Sequence, residues 1–122
     1  MSRAVICSAV RTPIGKFLWG LSELSPADLG VAAVTPALER AGVPADRVGE
    51  LRFGCGRQAG GGPNVARQIS VRSGIPVTST AVTGNIACGP GLPAVVEARP
   101  ADARGRAARV HLADVCIPCM AL

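Results

Sequence analysis

The chain opens on a nearly continuous apolar run. Ala4-Val5-Ile6-Cys7, resumed at Ala9-Val10, is the pattern of a strand covered on both faces, and it predicts a strand over Arg3 to Val10. Arg11-Thr12-Pro13 ends it, because proline cannot donate to a ladder and restricts the residue before it. Ile14 to Leu24, broken by Gly15 and Gly20, reads as a loop. Ser25-Pro26-Ala27-Asp28 then starts a helix, with a serine N-cap, proline at the first helical position and an acid facing the dipole. Ala27, Val31, Val34, Leu38 and Ala41 recur at helical spacing and predict one buried stripe, closed by Gly42. Pro36 lies inside this pattern and predicts a kink or an early break.

Val48 to Phe53 is short and apolar enough for a second strand, ended by Gly54-Cys55-Gly56. Gly60-Gly61-Gly62-Pro63 reads as a loop, since the spacing of a dinucleotide fingerprint is absent. Asn64 to Ser73 predicts a second helix, with Val65, Ala66, Ile69 and Arg72 along one side and Gly74 and Pro76 as stops. Val77 to Ala87, rich in Thr and Val, predicts a third strand that delivers Cys88. Strand, helix, strand, helix, strand and a further helix start together predict an α/β fold with a substantially parallel sheet.

Composition narrows the class. The chain has 122 residues, enough for one domain or part of one. Its two Phe, one Trp and absent Tyr leave few large side chains for a core. The formal charge of +5 is almost wholly arginine, densest between Arg99 and Arg109, far from Phe17, Trp19 and Phe53. A nucleic-acid surface interleaves basic and aromatic residues, so no nucleic-acid partner is expected, whereas an anionic small substrate suits the bias. No window reaches the length of a membrane span, and no membrane partner is expected. Five cysteines, an odd number without a secretory leader before them, predict a reducing, cytoplasmic setting.

Among those cysteines Cys88 stands apart, in Asn85-Ile86-Ala87-Cys88-Gly89-Pro90-Gly91-Leu92. A thiol set where a strand gives way to a helix meets unpaired N–H groups and the positive end of the dipole, which favour the nucleophilic thiolate. The alternative is a small buried hydrophobe, the commoner role of a free cysteine. The pair Cys116-Ile117-Pro118-Cys119 has the spacing of a redox couple or of half a zinc site, and no second pair accompanies it. No metal site is expected.

Order and spacing over roughly the first 95 residues resemble the thiolases, the acetyl-CoA acetyltransferases and 3-ketoacyl-CoA thiolases. The stretches that carry the likeness are Arg3 to Phe17, Leu24 to Gly30, Ala37 to Pro44, Phe53-Gly54 with Gln58-Ala59-Gly60, Asn64 to Gln68, Gly74 to Val77, and Asn85-x-x-Cys88-Gly89-x-Gly91-Leu92. The resemblance implies an acyltransferase of fatty acid metabolism in which Cys88 is the acyl-thioester nucleophile. Coenzyme A thioesters, acetyl-CoA or another acyl-CoA, are then the substrates, with no bound cofactor. The product is a 3-ketoacyl-CoA, or the reverse thiolysis occurs. It also implies a homo-oligomer and a duplicated α/β unit.

Residues 1–98 are accordingly expected to form part of a thiolase-like N-terminal domain, and residues 99–122 a divergent, irregular Ala/Arg-rich tail, the product of a shifted reading frame or a truncated gene. Pro93 is expected to remove a backbone bond and bend the helix behind Cys88. The family's two histidine motifs and its second active-site cysteine have no counterpart in these 122 residues, and His111 stands in neither motif. The 122 residues alone are therefore expected not to turn over. A non-catalytic pseudo-thiolase keeping a dimerisation surface, and a small redox or zinc module built on Cys116 and Cys119, are the other two readings.

Overall fold

The computed structural model describes residues 5–103 and 110–116. The elements run α1 (Pro26–Ala41), a 3-10 turn at Ala45–Arg47, β1 (Val48–Cys55), α2 (Val65–Arg72), β2 (Thr80–Gly84), α3 (Gly91–Ala103) and β3 (Val110–Cys116). The strands form one sheet in the order β2-β1-β3, with both pairings parallel. Leu51, Phe53 and Cys55 alternate onto the β1 face that packs with Ala27, Val34 and Leu38 of α1 and Val65, Ala66 and Ile69 of α2. On the other face Arg52 bonds Glu97 of α3, and Gly54 lies against Pro90, the residue before that helix. The α/β class with a parallel sheet is as the periodicity predicts.

α1 begins where its capping chemistry requires. Ser25 Oγ accepts from Asp28 N–H at 3.1 Å while the Asp28 carboxylate takes the Ser25 N–H at 2.8 Å, a reciprocal box that satisfies two otherwise unpaired donors. Asp28 also pairs with Arg72 of α2. The helix ends at Gly42, in the left-handed region at φ 64, with Val43 N–H on the Leu38 carbonyl at 3.1 Å. The expected early break at Pro36 does not occur: α1 is continuous to Ala41. Proline removes one bond and costs ~3 kcal/mol, and the two caps with a buried stripe of Ala27, Gly30, Ala33, Val34 and Leu38 offset it.

Three further expectations give way. The predicted strand over Arg3 to Val10 is absent among the described residues: 5–10 adopt no regular structure, and Val5 and Ile6 are 75% and 82% exposed. The edge of β1 opposite β2 is held by β3, whose ladder runs from Val48↔Val110 to Cys55↔Cys116. The tail expected to be irregular from residue 99 therefore contributes the last turns of α3 and a full strand. A β1 edge with unpaired N–H and C=O groups needs a ladder partner, and β3 supplies it. Pro93 is the third. The first intrahelical bond runs from Ala94 N–H to the Pro90 carbonyl at 3.3 Å. Pro93 therefore lies in the first turn, where an N–H would have no intrahelical acceptor. It removes no bond from α3.

Candidate functional site

All three strands point the same way, so the loops after β1 and β2 leave one edge of the sheet together. In open parallel sheets that edge, outside the carboxyl ends of the strands, is where ligands bind. β2 ends at Gly84, α3 starts at Gly91, and the six residues between them form a tight turn carrying Cys88. Asn85 Oδ1 accepts from Ala87 N–H at 3.1 Å, and Gly89 N–H donates to the Ile86 carbonyl at 3.0 Å. Ala87 is held at φ 42, a left-handed conformation that costs a non-glycine residue energy and persists only where surroundings enforce it.

Those surroundings are the glycines that end β1. A Cβ on Gly56 would stand 2.0 Å from the Ala87 carbonyl oxygen, and one on Gly54 would stand 2.7 Å from the Pro90 carbonyl carbon. Both contacts are with backbone, so only glycine lets the Cys88 turn seat against the end of β1. Pro90 and Ala94 are buried on this seat, and Cys88 itself is exposed. The turn is anchored from the other side through β2. Asn64, the N-cap of α2, donates from Nδ2 to the Ala81 carbonyl at 3.1 Å and accepts at Oδ1 from Thr83 Oγ1 at 2.8 Å. Thr83 Oγ1 accepts from Ala66 N–H at 2.9 Å, and Arg67 reaches the Ser79 carbonyl at 2.7 Å. The strand that delivers the cysteine is thereby bolted to the start of α2.

The cysteines separate by environment. Cys55, on the last residue of β1, is fully buried and donates from Sγ to the Arg57 carbonyl at 3.1 Å; burial pushes its thiol pKa up, which suppresses thiolate. Cys7 and Cys88 are exposed, and only Cys88 lies at the sheet's carboxyl edge ahead of a helix. A cavity of about 220 Å³ opens beside the turn, lined by Arg52, Val82, Asn85, Ile86, Pro90 and Glu97 among others; Cys88 does not line it. Arg52 bridges Glu50 at 2.7 Å and Glu97 at 2.9 Å along one side of that space.

His111 is not brought to the cysteine. It stands in β3 at the register position of Glu50, whereas the Cys88 turn lies beyond Cys55, so about 16 Å of strand separates the two levels at 3.3 Å per residue. Cys116 falls opposite Cys55 in the ladder, and Cys119 lies outside the described residues, as does any pairing between them through side chains. Among the described residues no three His, Cys, Asp or Glu side chains cluster to hold a metal, and no helix is long and apolar enough to cross a membrane. The seat formed by Gly54 and Gly56 and the clamp of Asn64 on Thr83 were not apparent from the pattern. Gly-x-Gly closing a strand signals close backbone approach, but not what approaches.

The sequence and the fold both match known proteins. The family model for the thiolase N-terminal domain matches residues 4–113. The chain belongs to the thiolase family. That match passes Ala98, so the resemblance does not lapse there. An acetyl-CoA acetyltransferase of Syntrophomonas wolfei is 46% identical over 91 residues, which are 75% of this chain and 23% of the relative. One of Clostridioides difficile is 44% identical over 92 residues, 75% of this chain and 86% of that sequence. Among solved structures, a thiolase of Ascaris suum in complex with coenzyme A superposes with a TM-score of 0.80 at 40% identity, over 82% of this chain and 26% of that one. This thiolase chain thus spans about a quarter of the length of its full-length relatives.

Proposed function

We propose that the chain carries the acyl-accepting half of a thiolase-type acyltransferase, with Cys88 as nucleophile and acetyl-CoA or another acyl-CoA as substrate. The observation that carries the reading is the placement of Cys88: exposed, on a strained turn, at the carboxyl edge of a parallel sheet and immediately ahead of a helix. The Cys88 thiol gives up its proton and the thiolate attacks the thioester carbonyl; the carbonyl–sulfur bond of the substrate breaks, and coenzyme A leaves as a thiolate that takes up a proton in place of the one Cys88 lost. One thioester replaces another, so the step is nearly balanced in energy, and two modest barriers replace one large one. The acyl group then passes to the enolate of a second acetyl-CoA, or, in reverse, thiolysis cleaves a 3-ketoacyl-CoA.

Relatives named acetyl-CoA acetyltransferases and a coenzyme A complex of a structural neighbour support the substrate class. Association into homo-oligomers and action in a reducing, cytoplasmic setting are part of the same reading. The second step also needs a base that takes the α-proton of the second acetyl-CoA to form its enolate, so the decisive test reads the first step. Acetyl-CoA added to the protein is expected to release about one equivalent of free coenzyme A per chain, a stoichiometry set by one nucleophile, with none released by Cys88→Ser. Equal release from both proteins would refute the assignment.

A further inference from the structure

We propose that Cys55 and Cys116 are a disulfide site, whose two thiols join reversibly across the ends of β1 and β3. Cys55 is a buried thiol that acyl transfer leaves unused, and Cys116 opens a Cys-x-x-Cys spacing that acyl transfer leaves unused as well. The ladder sets the two opposite one another. From Glu50↔His111 onward the register of β1 and β3 is unbroken, and its last pair is Cys55↔Cys116. Neighbouring strands run about 4.8 Å apart, and the Cα atoms of a disulfide stand about 4.4–6.8 Å apart, so the spacing of the sheet meets the requirement of the bond. Register partners in adjacent strands share a face of their sheet, and Cys55 is on the face that packs with α1 and α2. Among the described residues no other two cysteines face each other in a ladder: Cys7 is in no regular element and Cys88 is in the turn before α3.

The exchange balances with a small-molecule disulfide, such as glutathione disulfide, as oxidant. Cys116 gives up its proton and its thiolate attacks the oxidant; the S–S bond of the oxidant breaks, and one glutathione leaves as a thiol. Cys55 then displaces the other glutathione from the mixed disulfide and passes on its own proton. Two protein S–H bonds become one S–S bond, and the oxidant is reduced to two thiols. The first attack falls to Cys116 because Cys55 is fully buried, which suppresses its thiolate. In a reducing compartment such a bond is of the transient, redox-sensing kind. Its place gives it something to act on: Gly56, next to Cys55, lies against the Ala87 carbonyl of the Cys88 turn, so the bridge ties β3 to the seat of that turn. The inference rests on the ladder and does not depend on acyl transfer.

Peptide mapping of the folded full chain tests it, after incubation with glutathione disulfide, blocking of free thiols and cleavage by trypsin. Cleavage at Arg52, Arg57 and Arg109 puts Cys55 in one peptide and Cys116 with Cys119 in another, and fragmentation of a linked pair tells Cys116 from Cys119. The readout is the link, so glutathione adducts on the exposed Cys7 and Cys88 do not disturb it. A Cys55–Cys116 link is expected as the main cross-link, formed over minutes to hours, reversed by dithiothreitol, kept in Cys119→Ser and absent from Cys116→Ser. In the urea-unfolded chain the register is gone. The main link is then expected between Cys116 and Cys119, which close the shortest loop, with the Cys55–Cys116 yield down about tenfold or more. Cys55 left unlinked in the folded chain, Cys55 linked chiefly to Cys119, or a Cys55–Cys116 yield as high in urea as without it overturns the proposal. The wild-type chain supplies all three of these readings, so the test stands even if a serine variant does not fold.

Discussion

Replacing Gly56 by alanine probes the seat of the Cys88 turn with one methyl group. The new Cβ would stand 2.0 Å from the Ala87 carbonyl oxygen, where side-chain carbons do not come within 3.0 Å, so the turn or the end of β1 must withdraw by about 1 Å. Neither side yields easily. Ala87 is tied by its N–H to Asn85 and followed by the Ile86–Gly89 turn, and Cys55 is fully buried next to Gly56. Forcing a methyl into such a contact costs ~1–3 kcal/mol, and alanine recovers ~0.5–1 kcal/mol of the backbone entropy that glycine gives up on folding. A net loss of about 1–2 kcal/mol is therefore expected from the two terms. Gly84→Ala is the control, since it lies at the end of β2, on the other side of the same turn, with nothing within 4 Å of its would-be Cβ. It is expected to be neutral or stabilising by up to ~1 kcal/mol. Urea midpoints give the stabilities, and the rate of alkylation of Cys88 by iodoacetamide reports whether the turn has moved. A Gly56→Ala chain with the stability and the Cys88 alkylation rate of wild type would show that the seat is not what holds the turn.

Gly30→Ala brings its Cβ to 2.2 Å from Ile69 Cδ1, the end of a side chain rather than backbone; it is expected to cost ~1–3 kcal/mol, of which Ile69→Val in the same chain recovers part, as a double-mutant cycle on thermal unfolding will read. The carboxyl of Asp28 is held down to about 2 by hydrogen bonds from the Ser25 side chain, then Arg72 and the Ser25 backbone. A depressed folded pKa stabilises above the unfolded value of 3.8 and is lost as pH falls through about 2, so unfolding followed from pH 5 to pH 2 should show a decline that Asp28→Asn abolishes. Thiol alkylation near neutral pH is expected to modify Cys7 and Cys88 well before Cys55, whose burial raises its pKa and blocks access; peptide mapping that finds Cys55 modified first would contradict the burial described.

How far the sequence could be read depended on whether an element's cause was local. Ser25, Pro26, Asp28 and Gly42 bound α1 through contacts within one turn, so both ends could be placed from residue type alone. Val65, Ala66 and Ile69 of α2 likewise are buried as their spacing predicts, while Arg72 turns instead to Asp28. Pro93 failed because the penalty of a proline depends on where a helix begins, and two residues decide whether it lies in the first turn or beyond it. The apolar run at Val5 to Val10 announces a covered strand, but a strand forms only with a partner from elsewhere in the chain, and in the structure β1 pairs with β2 and β3. Gly54 and Gly56 could be seen as a strand end; that they make room for Ala87 and Pro90, more than thirty residues away, required the fold.

The proposed nucleophile, Cys88, takes an acyl group from the coenzyme A thioester. Incubation with acetyl-CoA, acid quench and mass mapping of the peptides measures it directly. An acetyl thioester is expected on Cys88, removable by hydroxylamine, and none on Cys7, which is also exposed. Acetyl label on Cys7 and Cys88 alike, or on neither, would contradict it.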